Sequence, residues 1–412
     1  MNILFISQFY PPEIGAASNR IGYFAKYLAK AGHKVSVLTS APNYPEGKIY
    51  GGFRNRWTVQ EDNDVTVYRT RVFLSKKNHV ISRLTHYLSF VFASVIAKRK
   101  IPKPDVIIAS SPPLFVGLIG VIFKKLWRGT PFILDIRDLW PESVESVGAV
   151  KKKSLLRQGE KLARYIYRHA THITCTSPGI KKLLGAHRPE LIPHITVLPN
   201  GAELDIFRPD ISPDHIRRTW NLGNKFVVLY TGNLGLAQAP EIFVKTAEIL
   251  EKNNDILFLI VGSGVLKEKL EDEARKKNLT NIIFTGSQPR AHMPDFVAAS
   301  DICIIPYKAA DTFRSTFPSK MFDYMAGSRP IIINLKGEAS ELIEKAGCGI
   351  LVKEENAQSL AEALTNLQKN PEQTKAMGKS GRKFVEQYYQ REIIAQDLEK
   401  LLRNLTVVKS KK

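Results

Sequence analysis

The run Phe317-Pro-Ser-Lys-Met-Phe-Asp-Tyr-Met-Ala-Gly-Ser-Arg-Pro330 holds the residues best suited to chemistry, and the apolar triplet Ile331–Ile333 follows it. It reads as a loop entering a short helix that stops at Gly327, then a buried parallel strand. Pro318 suits the helix start, and Ser319 suits the capping of its first turn. Backbone N–H groups there, the positive helix end and the Lys320 ammonium would converge on one point, a good place for a diphosphate. Asp323, one turn further on, would hydrogen-bond vicinal hydroxyls such as those of a ribose. These residues together suggest a nucleotide-sugar site in the second half of the chain.

Three further groups sit where strands should end. Phe9-Tyr-Pro-Pro-Glu-Ile-Gly15-Ala-Ala-Ser18 follows the first apolar run, and its glycine lets backbone approach an anion at the start of the next helix, which carries Arg20. A tight strand-to-helix turn would account for it equally well, and the pattern is not the Gly-x-Gly-x-x-Gly dinucleotide fingerprint. Leu134-Asp-Ile-Arg137-Asp138-Leu-Trp140-Pro-Glu142 combines carboxylates, a guanidinium and an indole. Either an internal Arg–Asp pair shapes that loop, or Trp140 is a sugar platform with Asp138 or Glu142 binding hydroxyls. Glycines after three successive strands (Gly232 and Gly235, Gly262 and Gly264, Gly286 ahead of Gln288) would line one rim with flexible backbone. Asp62-Asn63-Asp64 matches a metal motif but precedes a strand, where a polar turn is expected. No His, Cys and carboxylate spacing elsewhere suggests a metal.

Apolar runs alternate with helical stretches from end to end, the signature of α/β domains with parallel sheets covered on both faces. Strands are expected at Ile3–Ser7, Val35–Thr39, Val65–Tyr68, Val106–Ser110, Phe132–Ile136, Ile173–Thr176 and Ile195–Leu198. The second half should add Phe226–Tyr230, Ile256–Val261, Ile282–Phe284, Ile302–Ile305, Ile331–Ile333 and Gly349–Val352. Turn chemistry at Asn200-Gly201 divides the chain into two Rossmann-like domains, 1–200 and 201–380. A long amphipathic helix, about Gly381–Leu405 within 381–412, is free to cross back onto the first domain. Such domains bind ligands at the carboxyl ends of their strands.

The chain has 412 residues and a net charge of +21. Residues 1–200 hold 30 Lys and Arg against 12 Asp and Glu, a net of +18, whereas residues 201–412 carry only +3. An anionic partner on the first half is implied, either nucleic acid or a membrane surface. No nucleic-acid motif or aromatic-interleaved basic strand is present, which disfavours the former. Residues 79–100 place Val80, Ile81, Leu84, Tyr87, Leu88, Val91, Phe92, Val95 and Ile96 between Lys76, Lys77, Arg83, Lys98, Arg99 and Lys100. That stretch is too short to span a bilayer but suits an interface, or else a core-packed helix with solvated ends. Three scattered cysteines and an N-terminus opening directly on a strand fit a cytoplasmic protein without a signal peptide.

The chain resembles the retaining, two-domain GT-B glycosyltransferases of family 4 along nearly its whole length. The likeness rests on Tyr-Pro-Pro-Glu-Ile-Gly15, Lys-Ala-Gly-His-Lys-Val-Ser-Val near residue 35, Leu-Pro-Asn-Gly201-Ala-Glu-Leu-Asp-Ile-Phe207, Tyr-Thr-Gly232-Asn-Leu-Gly235, Ala-Ser-Asp301-Ile and the Phe317–Pro330 segment. Asp135 to Glu142 and Ser-Ala-Pro-Asn-Tyr-Pro45 look like the bacterial branch that builds O-antigen and capsule, which includes fucosamine and other N-acetylamino-sugar transferases. The resemblance implies a UDP-sugar donor and a polyprenyl-diphosphate-linked sugar acceptor. It implies no metal, no nucleic acid, and a place on the inner face of the plasma membrane. It assigns Gly15, Arg20, Asn200, Gly232, Asn233, Gly235, Gly262, Gly286, Gln288, Ser315, Pro318, Ser319, Lys320 and Asp323 to the donor. Tyr10, Arg137, Asp138, Trp140 and Glu142 go to the acceptor, and Lys320, Asp138 and the Gly15 backbone to catalysis. The family's Glu-x7-Glu pair stands here as Ser315 and Asp323, and two of its cations as Asn233 and Gln238. Lys320 and Arg20 would then supply the missing charge. Domain closure about Asn200 would assemble the site. A UDP-sugar 2-epimerase on the same fold and a non-catalytic basic binding protein are the alternatives.

Overall fold

The computed structural model describes residues 1–44, 47–74, 80–146, 148, 150 and 152–410; Pro45, Lys76 and Lys77 lie outside them. The chain divides into one unit of Met1–Pro199 with Glu392–Lys412 and a second of Asn200–Arg391.

In the first unit, apolar runs become β1 (Asn2–Ile6), β2 (Lys34–Ser40), β4 (Val65–Thr70), β5 (Val106–Ser111), β6 (Phe132–Ile136), β7 (His172–Cys175) and β8 (Ile195–Val197). With β3 (Thr58–Asp62) they form a sheet ordered β3-β4-β2-β1-β5-β6-β7-β8. Central β1 pairs in parallel with β2 and β5, matching Ile3 to both Val35 and Val106. Helices cover both faces, so even the polar strand positions are buried, as parallel sheets require. The unexpected strand is β3, which pairs antiparallel with β4. Its sequence is polar and its single apolar residue, Val59, is 52% exposed, so no buried run announces it. Asn63 and Asp64, at φ 51° and 63°, make the two-residue hairpin turn. The Asp-x-Asp match is that turn, with Asp62 held 3.5 Å from Lys26.

The second unit carries β9 (Phe226–Thr231), β10 (Ile256–Val261), β11 (Ile282–Gly286), β12 (Ile302–Ile305), β13 (Ile331–Ile333) and β14 (Gly349–Leu351). Their order is β11-β10-β9-β12-β13-β14, parallel throughout. All the strands expected from the sequence therefore form, in two α/β units of GT-B type.

Residues Val80–Ala97 form one helix. Phe90, Val91 and Ala97 enter the core, but Leu88, Phe92 and Ile96, on the opposite side, stay exposed. Among the described residues no helix is long and apolar enough to cross a membrane. The expected helix Gly381–Leu405 is instead two, Pro371–Tyr388 and Arg391–Ser410. Ala202 causes the break. It donates its N–H to the Tyr389 carbonyl at 2.7 Å and accepts from the Arg391 N–H at 3.0 Å, drawing residues 389–391 into an extended bridge. The last helix packs Ile394, Ala395, Leu398 and Leu402 against Ile3, Phe5, Ile21 and Phe24 of the first unit. Glu399 adds a 3.0 Å contact to His33.

That apolar seam implies a measurable cost. Leu402→Ala should remove about 2–5 kcal/mol from the first unit's unfolding transition in urea, by lost transfer energy and the cavity left behind. An unchanged midpoint would mean the helix is not docked there.

Candidate functional site

The helix Ser319–Ala326 buries Met321, Phe322, Tyr324 and Met325 and ends at Gly327, as its sequence requires. Its start differs from expectation in one respect. Pro318 is the residue before the first turn (φ −66°, ψ 128°), Ser319 is already helical, and no side chain caps the end. Proline has no side-chain oxygen, so Pro318 offers the first turn's N–H groups no side-chain acceptor.

Lys320 lies at this uncapped end. It is half-buried, with Nζ 3.9 Å from the centre of the Tyr230 ring, a cation–π contact. A Cβ on Gly232 would fall 2.8 Å from Nζ, so only glycine admits the ammonium there. Tyr230 is pinned by its hydroxyl, which donates to the Asn233 carbonyl at 2.7 Å. Tyr324, one turn beyond Lys320, accepts the Thr231 N–H at 2.9 Å and ties the helix to the end of β9. Among the described residues no carboxylate pairs with Lys320, and burial pushes its pKa down to about 7. An ammonium short of water and without a carboxylate is an anion site in electrostatic terms.

The glycine loops meet beside it. Gly232 donates its N–H to Val261 O at 2.8 Å, and Gly262 donates to Gly286 O at 2.9 Å, so the ends of β9, β10 and β11 lie side by side. A Cβ on Gly262 would collide with the Gly232 carbonyl, and Gly262 has φ +151°. The Asn233 side chain lies over Gly235 and Gly264, and Gln288 donates to Thr285 O at 3.1 Å. Gln238 buries its Oε1 without a partner. Ser315 is buried and its hydroxyl donates to Thr312 O at 3.2 Å.

Asp323 is not free for a ribose. Its two oxygens accept from Arg290 at 2.7 and 3.2 Å, and Arg290 also reaches Glu203 at 3.0 Å and covers the Phe207 ring. Glu203 pairs in turn with Arg391, whose guanidinium donates to the carbonyls of Asn200 and Gly201 at 2.8 and 3.0 Å. Asp323 thus ends an ionic chain that fixes the helix. Sequence reasoning missed Arg290, because its partners lie 33 and 87 residues away.

Several first-unit assignments are corrected in the same way. Arg20 presents no cation outward. Its guanidinium is buried against Asp135 at 3.0 and 3.2 Å and donates to the carbonyls of Leu198 and Pro199 at 2.9 and 2.8 Å. Asp135 also accepts from Ser110 and Thr174 at 3.0 and 2.9 Å. Burial pushes the Asp135 pKa up, but Arg20, Arg137 and the Thr174 hydroxyl together outweigh it and hold the carboxyl below its usual range. Tyr10 is fully buried, its hydroxyl 3.4 Å from Asp62, so it cannot touch an acceptor. Trp140 is no open platform, since its ring packs on Gly159 and meets Phe115 edge-on at 6.3 Å. Arg137 donates to Ser110 Oγ at 3.0 Å and Pro112 O at 2.7 Å and braces the exits of β5 and β6. Asp138 and Glu142 are exposed.

Gly15 (φ +152°) precedes the helix Ala16–Lys30, and a Cβ there would meet only Tyr44, at 3.9 Å. Beside it stands a residue the sequence reading passed over. Glu13 is buried and accepts the backbone N–H groups of Tyr10, Asn43 and Tyr44 at 3.2, 2.8 and 2.9 Å. Burial pushes its pKa up to about 7 against those bonds. A carboxylate inside an otherwise apolar Pro-Pro-Glu-Ile-Gly loop was the available signal.

Comparison with known proteins accounts for both units. The model described as "Glycosyl transferase 4-like domain" matches residues 15–201, and "Glycosyl transferases group 1" matches residues 213–384. The putative colanic acid biosynthesis glycosyl transferase WcaI of Escherichia coli is 28% identical over 381 residues, covering 88% of this chain and 91% of its own. A GDP-mannose-dependent alpha-mannosyltransferase of Mycolicibacterium smegmatis is 24% identical, covering 89% and 88%. In fold, the chain is similar to Anabaena HepE in complex with UDP-glucose (TM-score 0.73, 17% identity, 98% and 100% covered). WaaG, a glycosyltransferase involved in lipopolysaccharide biosynthesis, gives 0.71 at 14% identity, with 97% and 99% covered.

The strained lysine sets a pH signature. The unfolded chain keeps its Lys320 proton to about 10.5 and the folded chain releases it near 7, so this group destabilises the fold fully below 7. The penalty fades as pH rises towards 10.5. Lys320→Met should therefore raise Tm at pH 7 by on the order of a few degrees, and the gain should shrink to nothing near pH 10.5 by calorimetry. A variant that melts lower at both pH values would show the ammonium is not strained.

Proposed function

We propose that this chain, a glycosyltransferase of family 4 with the GT-B fold, moves a sugar from UDP to a polyprenyl-diphosphate-linked acceptor in surface-polysaccharide synthesis. One observation carries the reading: Lys320 holds an ammonium that no carboxylate among the described residues pairs, beside glycine loops, at the uncapped start of a helix. A sugar nucleotide's diphosphate supplies the missing anion. Relatives support the context, since WcaI is named for colanic acid, TuaH of Bacillus subtilis for teichuronic acid, and HepE was solved with UDP-glucose.

In the proposed reaction the bond between the anomeric carbon and the diphosphate oxygen breaks, and the electron pair leaves with the diphosphate. Lys320 and the first N–H groups of Ser319–Ala326 stabilise that charge without a metal. An acceptor hydroxyl attacks from the departing group's side and gives its proton to the leaving oxygen, so the anomeric configuration is retained. The protein's contribution is position and preorganised charge. The donor sugar is an N-acetylamino sugar in this reading, the Gly286–Gln288 loop faces the base, and the lipid-linked acceptor places the reaction at the inner face of the plasma membrane.

Two measurements test it. A panel of UDP- and GDP-sugars should give one UDP-sugar that raises Tm, with stabilisation of about 2.7 kcal/mol at a hundred times its Kd. Lys320→Ala should lower kcat about 10²–10³-fold, the loss seen when one oxyanion-hole donor is removed elsewhere, while a chelator leaves the rate unchanged. Undiminished transfer by Lys320→Ala would sink the proposal.

A further inference from the structure

Aromatic residues follow four neighbouring strands of the first unit. Tyr44 comes after β2, Phe9 after β1, Phe115 in the first turn of the helix after β5, and Trp140 after β6, and β2-β1-β5-β6 is a continuous run of the sheet. All four therefore leave the carboxyl ends of parallel strands, where ligands of such sheets bind. The Phe9 and Tyr44 ring centres are 5.0 Å apart. Tyr87, from the helix Val80–Ala97, stacks with Phe115 at 6.1 Å. Burial pushes the Tyr44 pKa up and Tyr87 adds to it, so the two tyrosines stand close together.

These rings are not equally available. Trp140 packs on Gly159 and serves as a buttress for Phe115. Tyr44 is 38% exposed, and its ring lies over the Gly15 turn, 3.9 Å from where a Cβ on Gly15 would stand. The backbone beneath that ring is fixed without its help. Glu13 accepts the N–H groups of Asn43 and Tyr44, and the Tyr50 hydroxyl donates to the Tyr44 carbonyl at 2.6 Å. An exposed ring on a fixed backbone loses little freedom when a ligand stacks on it.

The polar groups beside the rings narrow the choice of ligand. Exposed Arg83 acts on the ionisation of both Tyr44 and Tyr87, and exposed Asp138 lies two residues before Trp140. Charges of both signs match neither a polyanion nor a cation. An aliphatic chain would cover the rings but leave the polar groups unpaired. A pyranose suits both, because its C–H face is apolar and its edge carries hydroxyls for a tyrosine, a guanidinium or a carboxylate.

We propose that Tyr44, flanked by Phe9 and Tyr87, is the platform on which the acceptor's sugar ring stacks, the part that the sequence suggested for Trp140. The inference rests on the transferase reading but concerns the first unit, whereas Lys320 belongs to the second. Sugar binding and nucleotide binding can therefore fail separately.

The test is saturation-transfer NMR on the full chain with octyl β-glucoside, octyl β-galactoside and octyl N-acetyl-β-glucosaminide, each below its micelle concentration. At least one should receive saturation on its ring C–H protons. Tyr44→Ala should weaken that binding about tenfold, the scale of losing one aromatic anchor, and Tyr44→Phe should keep it within about twofold. Circular dichroism and UDP affinity by calorimetry should be unchanged in both variants. A wild-type chain that takes a glycoside but no UDP would keep the platform and sink the transferase reading. Equal glycoside affinity in Tyr44→Ala would overturn the proposal, as would a parallel loss of UDP binding in that variant. So would saturation confined to the octyl chain, or none on any of the three glycosides.

Discussion

An ammonium with no carboxylate beside it among the described residues is the constraint on which the chemistry proposed for the second unit depends. Water is the cheapest partner for a lysine, and a surface carboxylate the next. Lys320 has given up much of the first and lacks the second, keeping a Tyr230 ring and a glycine that leaves it room. The cost is borne by the fold in the absence of ligand, and an anion entering the site relieves it. Preorganised charge of this kind stabilises a leaving group without reorganisation at the moment of reaction.

The other charged groups near the strand ends do opposite work, because they are already neutralised. Arg290 grips Asp323 and Glu203, and Arg20 grips Asp135. Removing one member of a buried pair leaves the other uncompensated, at a cost of about 3–5 kcal/mol. Each therefore holds a geometry. The Arg290 chain fixes the helix that carries Lys320, and Asp135 collects Arg20, Ser110 and Thr174 from three different elements. The distinction between a paired charge and an unpaired one separates scaffold from proposed site in this molecule.

That distinction also explains what could be read in the sequence. The strands and the Ser319–Ala326 helix were legible because their determinants are local: apolar runs, a proline before the helix and a glycine after it. β3 was not, because an edge strand with one exposed valine has no buried run to betray it. The place of Lys320 was legible because only its own helix start and the end of β9 define it. Arg20, Tyr10, Trp140 and Asp323 were misread because their partners lie far along the chain, 115 residues away for Arg20 and Asp135. A side chain's type and its place at a strand end say that it matters. They do not say whether a distant residue already occupies it.

Calorimetry of UDP binding at pH 8, repeated in buffers of different ionisation enthalpy, tests the central claim most directly. Free Lys320 titrates near 7 and is mostly neutral at that pH, so a diphosphate beside it must draw a proton from solvent. The account predicts uptake approaching about one proton, abolished together with most of the affinity in Lys320→Met. Binding without proton uptake, equally tight in the variant, would contradict it.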